Sequence, residues 1–78
     1  MTNNDPDIEK TIVDIQQIFP NQLMLSQRQF AQLRNKSVLT LSRERKKCVG
    51  AEYKDNDGQI EYPVRKVAEW MHRTIKTA

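Results

Sequence analysis

Cysteine and histidine each occur once in this sequence of 78 residues, and their scarcity excludes two ways of stabilising a small fold. Because Cys48 has no second cysteine in the chain, an intramolecular disulfide is excluded. With His72 as the only histidine, a structural zinc site also lacks enough ligands. We therefore expect one small domain, residues 1–78, that folds by packing alone and binds no metal or other cofactor.

Long apolar runs and catalytic motifs are missing too. No segment approaches the roughly 20 apolar residues of a membrane span, and the acidic N-terminal segment lacks a signal-peptide pattern. There is no phosphate-binding loop, and residues 55–58, which resemble the start of a calcium loop, have Lys66 where such a loop closes with glutamate. We expect a soluble cytoplasmic protein that is not an enzyme and has no membrane or small-molecule partner.

Positive charge, by contrast, is abundant in one segment. Residues 34–47 hold six basic residues and one acidic residue, whereas residues 1–20 hold four acidic residues and one lysine. The formal net charge of +3 therefore understates how basic the middle of the chain is. The distribution predicts a local basic surface, provided that these side chains share one exposed face.

The first helix is predicted from a cap and a stripe of apolar residues. Asp5 followed by Pro6 is typical of a helix start, and Pro20 with Asn21 marks the end. Between them, apolar residues recur at helical spacing: Ile8, Ile12, Ile15, Ile18 and Phe19. The stripe has two interpretations, namely packing against the rest of the domain or a surface for a dimer or another partner.

Two independent signals start a second helix, residues 27–34. Ser26 and Gln29 have the spacing of a capping box, in which each side chain hydrogen-bonds the backbone N–H of the other residue. Leu25 and Phe30 form the matching hydrophobic staple around the cap. The segment therefore predicts a short helix with a well-defined beginning.

A third helix, residues 38–47, is predicted after a tight turn. Asn35 tolerates the left-handed conformation in which a chain leaves a helix, and Ser37 can cap the next one. Arg45 falls near the apolar side, so we expect its stem to pack and its guanidinium to find a partner. At 100° per residue, the inward side is predicted to hold Val38, Leu41 and Cys48, and the outward side Leu39, Thr40, Arg43, Lys46 and Lys47.

A β-hairpin and a last helix complete the pattern. Residues 51–54 and 59–62 are predicted strands because the turn-forming sequence DNDG lies between them. Pro63 then opens a helix in which His72 falls on the polar, exposed side. Its other side is predicted to be apolar: Val64, Val67, Ala68, Trp70, Met71 and Ile75.

The order of these elements predicts an α+β, mostly helical fold. Two capped helices joined by a tight turn and followed by a hairpin are typical of a winged helix-turn-helix, here with a two-stranded β-hairpin wing and a C-terminal helix. Residues 24–76 would form this core, and residues 1–20 would add an extra N-terminal amphipathic helix. In such folds the second helix of the pair enters the major groove of DNA.

A basic helix face at this position is suited to double-stranded DNA. Arg43 can engage O6 and N7 of a guanine with its planar fork, and Thr40 can donate to a phosphate or touch a thymine methyl group. Lys46 and Lys47 are better placed for phosphates. Further candidate contacts flank the turn or lie on the outward face and the hairpin: Arg28, Lys36, Ser37, Leu39 and Lys54.

Two alternatives to DNA binding stay open at this point. Surface lysine and arginine most often form only a solvated helix face, so charge by itself does not identify a partner. The second alternative is a protein-interaction module that uses its N-terminal isoleucine stripe and does not bind DNA. It predicts that removal of residues 1–20 abolishes function while Arg43→Ala has no effect.

The motifs of the central segment resemble a known family. Residues 31–37 read AQLRNKS, residues 40–45 read TLSRER, residues 62–63 read YP and residues 67–70 read VAEW. In this order and spacing they are similar to the excisionase and AlpA-type regulators of bacteriophages and mobile elements, whose winged helix-turn-helix resembles that of MerR proteins. The resemblance extends over residues 25–71.

The resemblance implies a DNA-associated protein of a bacterial host cell that takes part in DNA recombination. Such a protein binds repeated sites beside a recombination junction, associates with itself on them, and bends the DNA so that an integrase excises rather than inserts. Bending a short site costs several kcal/mol, which cooperating protomers offset. The resemblance also implies transcription regulation, through repression of a nearby promoter.

Three features of the sequence depart from the family pattern. Asn35 replaces the usual turn glycine, and Lys36 replaces an apolar residue. At the tip of the predicted wing, Asp55 and Asp57 place negative charge where the family usually carries basic residues, and phosphates repel carboxylates. Either Lys54 and the strands contact DNA with the tip held away, or the wing makes no contact.

Overall fold

The computed structural model describes residues 5–74, and within that range the chain forms four helices and a three-stranded antiparallel sheet. The helices are α1 (Pro6–Ile18), α2 (Gln27–Arg34), α3 (Val38–Lys47) and α4 (Val64–Thr74), and the strands are β1 (Met24–Ser26), β2 (Lys54–Asn56) and β3 (Gln59–Pro63). The predicted α+β, mostly helical class is confirmed. None of the helices in the described range is long and apolar enough to cross a membrane.

Capping side chains set the beginnings of the first three helices. Asp5 accepts a hydrogen bond from a backbone N–H in the first turn of α1 at 2.9 Å. Ser26 and Gln29 form the predicted capping box, with N–H to side-chain oxygen distances of 3.0 and 3.1 Å. Ser37 accepts from the N–H of Thr40 at 3.2 Å. The predicted bounds of α2 and α3 are therefore confirmed.

Residues 35–37 join α2 to α3. Asn35 adopts the left-handed conformation, with φ of 57°, as its role as a helix terminator requires. The N–H of Lys36 donates to the carbonyl of Ala31 at 2.9 Å, which satisfies one of the carbonyl groups left free at the end of α2. The turn thus gives α2 a regular exit with asparagine, rather than glycine, in the left-handed position.

The central strand of the sheet is β3, which pairs with β1 on one side and β2 on the other. Leu25 lies opposite Tyr62 in the first pair, and Asp55 lies opposite Ile60 in the second. The strand β1 was not predicted, because three residues are too few to show the alternation that marks a strand. The predicted two-stranded hairpin is therefore part of a larger sheet.

The hairpin is present, but its bounds differ from the prediction. The first strand occupies Lys54–Asn56 rather than residues 51–54, and the turn is two residues long rather than four. Asp57 and Gly58 both have positive φ, 54° and 88°, as the two central positions of a type I′ turn require. Pro63 ends β3, so α4 begins one residue later than predicted.

The core draws residues from all four helices and from two strands. At its centre, the ring of Phe30 lies 4.6 Å from the ring of Tyr62 and 5.8 Å from that of Trp70, measured between centroids. The buried apolar residues are Ile15, Leu25, Phe30, Ala31, Leu41, Ala51, Tyr62, Val64, Val67 and Ala68. This apolar core thus packs together the elements that carry the basic segment.

The isoleucine stripe of α1 packs on the protein itself, chiefly against α4. Ile15 is buried, and Ile8, Ile12 and Phe19 are partly buried against the same core. Polar contacts reinforce the packing, because Glu9 pairs with Arg65 at 2.8 Å and Thr11 lies 3.1 Å from the Nε2 atom of His72. The packing interpretation of the stripe accounts for these residues.

Some inward assignments were wrong. Ile18, the last residue of α1, is 58% exposed and does not pack against the core. Val38 and Cys48, at the two ends of α3, are exposed because the core reaches only the middle of that helix, where Leu41 is buried. His72 is half-buried against α1 rather than exposed. Ile75 lies outside the described residues.

Candidate nucleic-acid interface

The outward face of α3 is open to solvent. Arg43, Lys46 and Lys47 are exposed, and Leu39, at the start of the helix, is 58% exposed. Thr40 is half-buried, since its hydroxyl and backbone N–H lie close to the capping residue of the helix. The described part of the chain therefore leaves the predicted basic face uncovered, and the acidic N-terminal helix does not occlude it.

Three of the other predicted contacts surround the beginning of α3. Arg28 lies in the first turn of α2 and is exposed, as are Lys36 and Ser37 in the turn between the helices. The hydroxyl groups of Ser37 and Thr40 are 3.2 Å apart, so one of them donates to the other. The other hydroxyl keeps its proton for an outside acceptor such as a phosphate oxygen.

The hairpin presents mainly negative charge. Lys54 is exposed at the start of β2, but it lies directly opposite Glu61 of β3. Asp55 accepts a hydrogen bond from the N–H of Gly58 at 2.8 Å, and Asp57 occupies the turn itself. Because residues 54–61 contain one base and three acids, this element as a whole repels phosphates, and Lys54 is its one cationic group.

A pair that the sequence did not predict fixes the orientation of α3. The guanidinium of Arg34, at the end of α2, donates two hydrogen bonds to the carboxylate of Glu44, in the middle of α3, at 2.7 and 2.8 Å. The same guanidinium lies over the rings of Trp70 and Phe30, 4.6 and 5.2 Å from their centroids. This arrangement joins α2, α3 and α4 at one point.

The signal for this pair was present in the sequence. Glu44 is the only acidic residue among residues 34–47, where an isolated acid among basic residues indicates that it pairs with one of them.

The hydrogen bonds from Arg34 lower the pKa of the Glu44 carboxyl group, although its partial burial acts in the opposite direction. A Cβ atom at Gly50 would lie 3.1 Å from the Cβ of Glu44, so glycine there lets the chain pass close to the pair.

Arg45 behaves as predicted and does not belong to the outward face. Its guanidinium donates to the hydroxyl of Tyr62 at 2.8 Å and lies 5.6 Å from the ring centroid of Tyr53. The basic segment thus divides into two inward-directed arginines, Arg34 and Arg45, and the solvent-exposed bases. The exposed bases are Lys36, Arg43, Lys46 and Lys47.

The pair predicts a pH-dependent stability. In the folded protein the pKa of Glu44 is lowered, so the pair stabilises the fold above the ordinary carboxyl pKa of about 4.3, and this contribution is lost as the pH falls through the lowered value. Glu44→Gln should reduce the free energy of unfolding by about 1–3 kcal/mol at pH 7, measured by urea denaturation, and by progressively less as the pH is lowered below the ordinary carboxyl pKa. As a control, Glu52→Gln removes a carboxylate that is 61% exposed. A loss that is independent of pH would contradict the ionic role.

Beyond these contacts, the described residues hold no group of three or more histidine, cysteine, aspartate or glutamate side chains that could bind a metal ion. Comparison of the sequence with models of protein families finds no match, and comparison with curated proteins finds none either.

Proposed function

We propose that this protein is a sequence-specific double-stranded DNA-binding protein that uses the outward face of α3. The observation that carries the proposal is the shared exposure of Arg43, Lys46 and Lys47 on a helix that follows α2 after a three-residue turn. Duplex DNA is the partner with the matching chemistry, because its closely spaced phosphates attract clustered bases and its major groove admits a helix.

In this proposal α2 and α3 act as a helix-turn-helix, and the hairpin of β2 and β3 acts as the wing. Arg43 contacts a guanine edge, while Lys46 and Lys47 contact phosphates. Arg28 and Lys36, on either side of the start of α3, contact the phosphates that border the groove. The acidic turn of the hairpin is held away from the duplex, with Lys54 as its one cationic contact.

The interaction-module alternative has lost most of its support. Four of the five residues in the isoleucine stripe pack against the core, and only Ile18 remains exposed. The truncation that was expected to discriminate the two hypotheses is also unsuitable, because removal of residues 1–20 deletes Ile15 from the core. Substitutions on the exposed face of α3 are the sharper test.

The salt dependence of binding tests the proposal. With about five phosphates engaged, the logarithm of the association constant should fall against the logarithm of salt concentration with a slope of about −4 to −5. Arg43→Ala should weaken binding by about 1–3 kcal/mol, and Lys47→Ala should make the slope less steep by about 1. Gel shifts at rising salt measure both effects. Arg73→Ala, which removes an exposed arginine from α4, is the control and should change neither the affinity nor the slope. Indifference of binding to both Arg43→Ala and Lys47→Ala would contradict the proposal and favour the protein-interaction alternative.

We further propose that the protein is an excisionase that bends DNA for an integrase, self-associates on its sites and represses transcription. The support is that the family-like segments fall on the elements that the proposal uses: residues 31–37 and 40–45 on α2, the turn and α3, residues 62–63 at the end of β3, and residues 67–70 on α4. Circular-permutation gel shifts should show bending, and an integrase gene should lie nearby. An unbent complex encoded away from any integrase gene would contradict this role.

A further inference from the structure

Leu39 is an exposed aliphatic side chain on an otherwise basic surface. It is 58% exposed, whereas Leu41, two residues further along α3, is fully buried. The core therefore does not use Leu39, and its neighbour Val38 is also 39% exposed. An apolar contact at the start of α3 is available to a partner.

The position of Leu39 relative to Arg43 indicates which part of a DNA duplex Leu39 would contact. The two residues are four apart, so they lie on the same side of α3, with Cβ atoms about 5–6 Å apart. Successive base pairs are about 3.4 Å apart along a strand, so a helix in the major groove would place the two side chains within one or two base pairs of each other. The lysine and arginine side chains that surround Leu39 favour nucleic acid over an uncharged partner.

We propose that Leu39 is a specificity-determining residue that contacts the C5-methyl group of a thymine one or two base pairs from the guanine bound by Arg43. This inference rests on the proposed DNA-binding function. The thymine methyl is the one apolar group that a base presents in the major groove, so it fits an aliphatic side chain without a hydrogen-bonding partner. Uracil and cytosine lack this group.

Methyl deletion from the DNA tests the proposal directly. Duplexes that bind the full chain are first selected from a random-sequence library, and the selected sites should hold a thymine one or two positions from a guanine. Replacement of that thymine by deoxyuridine removes one methyl group and should weaken binding about fourfold, the effect of one buried methyl. Deoxyuridine at thymines outside the contact should change nothing.

Substitution of the protein completes the test. Leu39→Ala should bind the thymine and deoxyuridine duplexes equally well, while Leu23→Ala, which truncates a leucine that is 78% exposed in front of β1, should keep the fourfold preference. Selected duplexes that tolerate deoxyuridine, or a preference that survives Leu39→Ala, would overturn the assignment of Leu39 and leave DNA binding intact. Failure to select any duplex would overturn both.

Discussion

Leu41→Ala is expected to lower the free energy of unfolding by about 2–5 kcal/mol, because it removes a fully buried side chain from the one face of α3 that meets the core. A domain of this size has a total stability of roughly 4–12 kcal/mol, so the substitution would remove a large fraction of the stability of the fold. Urea denaturation followed by circular dichroism measures the loss.

The matched control for this prediction lies on the same helix. Leu39→Ala makes the same chemical change two residues away, at a side chain that is 58% exposed, and should alter the free energy of unfolding by less than about 0.5 kcal/mol. The two leucines therefore separate the stability of α3 from its proposed contact with DNA. Equal losses in the two variants would mean that the inward and outward faces of α3 are wrongly assigned.

Neutralising the exposed bases around α3 is expected to have the largest effect on binding. A quadruple variant combines Lys36→Gln, Arg43→Gln, Lys46→Gln and Lys47→Gln. It removes four charge-assisted contacts at about 1 kcal/mol or more each, so affinity for duplex DNA should fall about 1,000-fold. The slope of binding against salt should drop to about −1 to −2, because Arg28 and Lys54 remain.

A variant that changes charge elsewhere separates local contact from overall charge. Lys10→Gln with Arg73→Gln removes two exposed bases from α1 and α4 and should leave the salt slope close to that of the unmodified protein. All of these variants should fold like the unmodified protein, because none of the substituted side chains is buried. Circular dichroism can check this. If the quadruple variant bound as tightly as the unmodified protein, α3 would not be the DNA-binding element.

Local signals predicted the helices well because capping is a short-range interaction. The capping box of Ser26 and Gln29, and the left-handed exit at Asn35, involve residues that are close in the chain, so the pattern of residues identifies them. The exposure of Arg43 and Lys46 also followed from helical spacing alone. This part of the candidate interface needed no tertiary information.

Tertiary contacts explain what the sequence did not predict. The strand β1 exists because it pairs with β3, almost 40 residues later, and nothing in its three residues indicates that pairing. Likewise, Val38 is exposed although helical spacing places it with Leu41, because the core ends before the first turn of α3. The pairing of Arg34 with Glu44 depends on the angle between two helices, which spacing along either helix does not specify.

The only thiol of the protein occupies an unusual place. Cys48 is exposed and caps the C-terminal end of α3 in the left-handed conformation, with φ of 58°, where a residue with a side chain is strained and glycine is not. A maleimide fluorophore attached there would sit one residue from Lys47 and could report the arrival of a large anionic molecule by a change in its emission. Glycine at the same position would give a thiol-free version whose backbone is already suited to the turn.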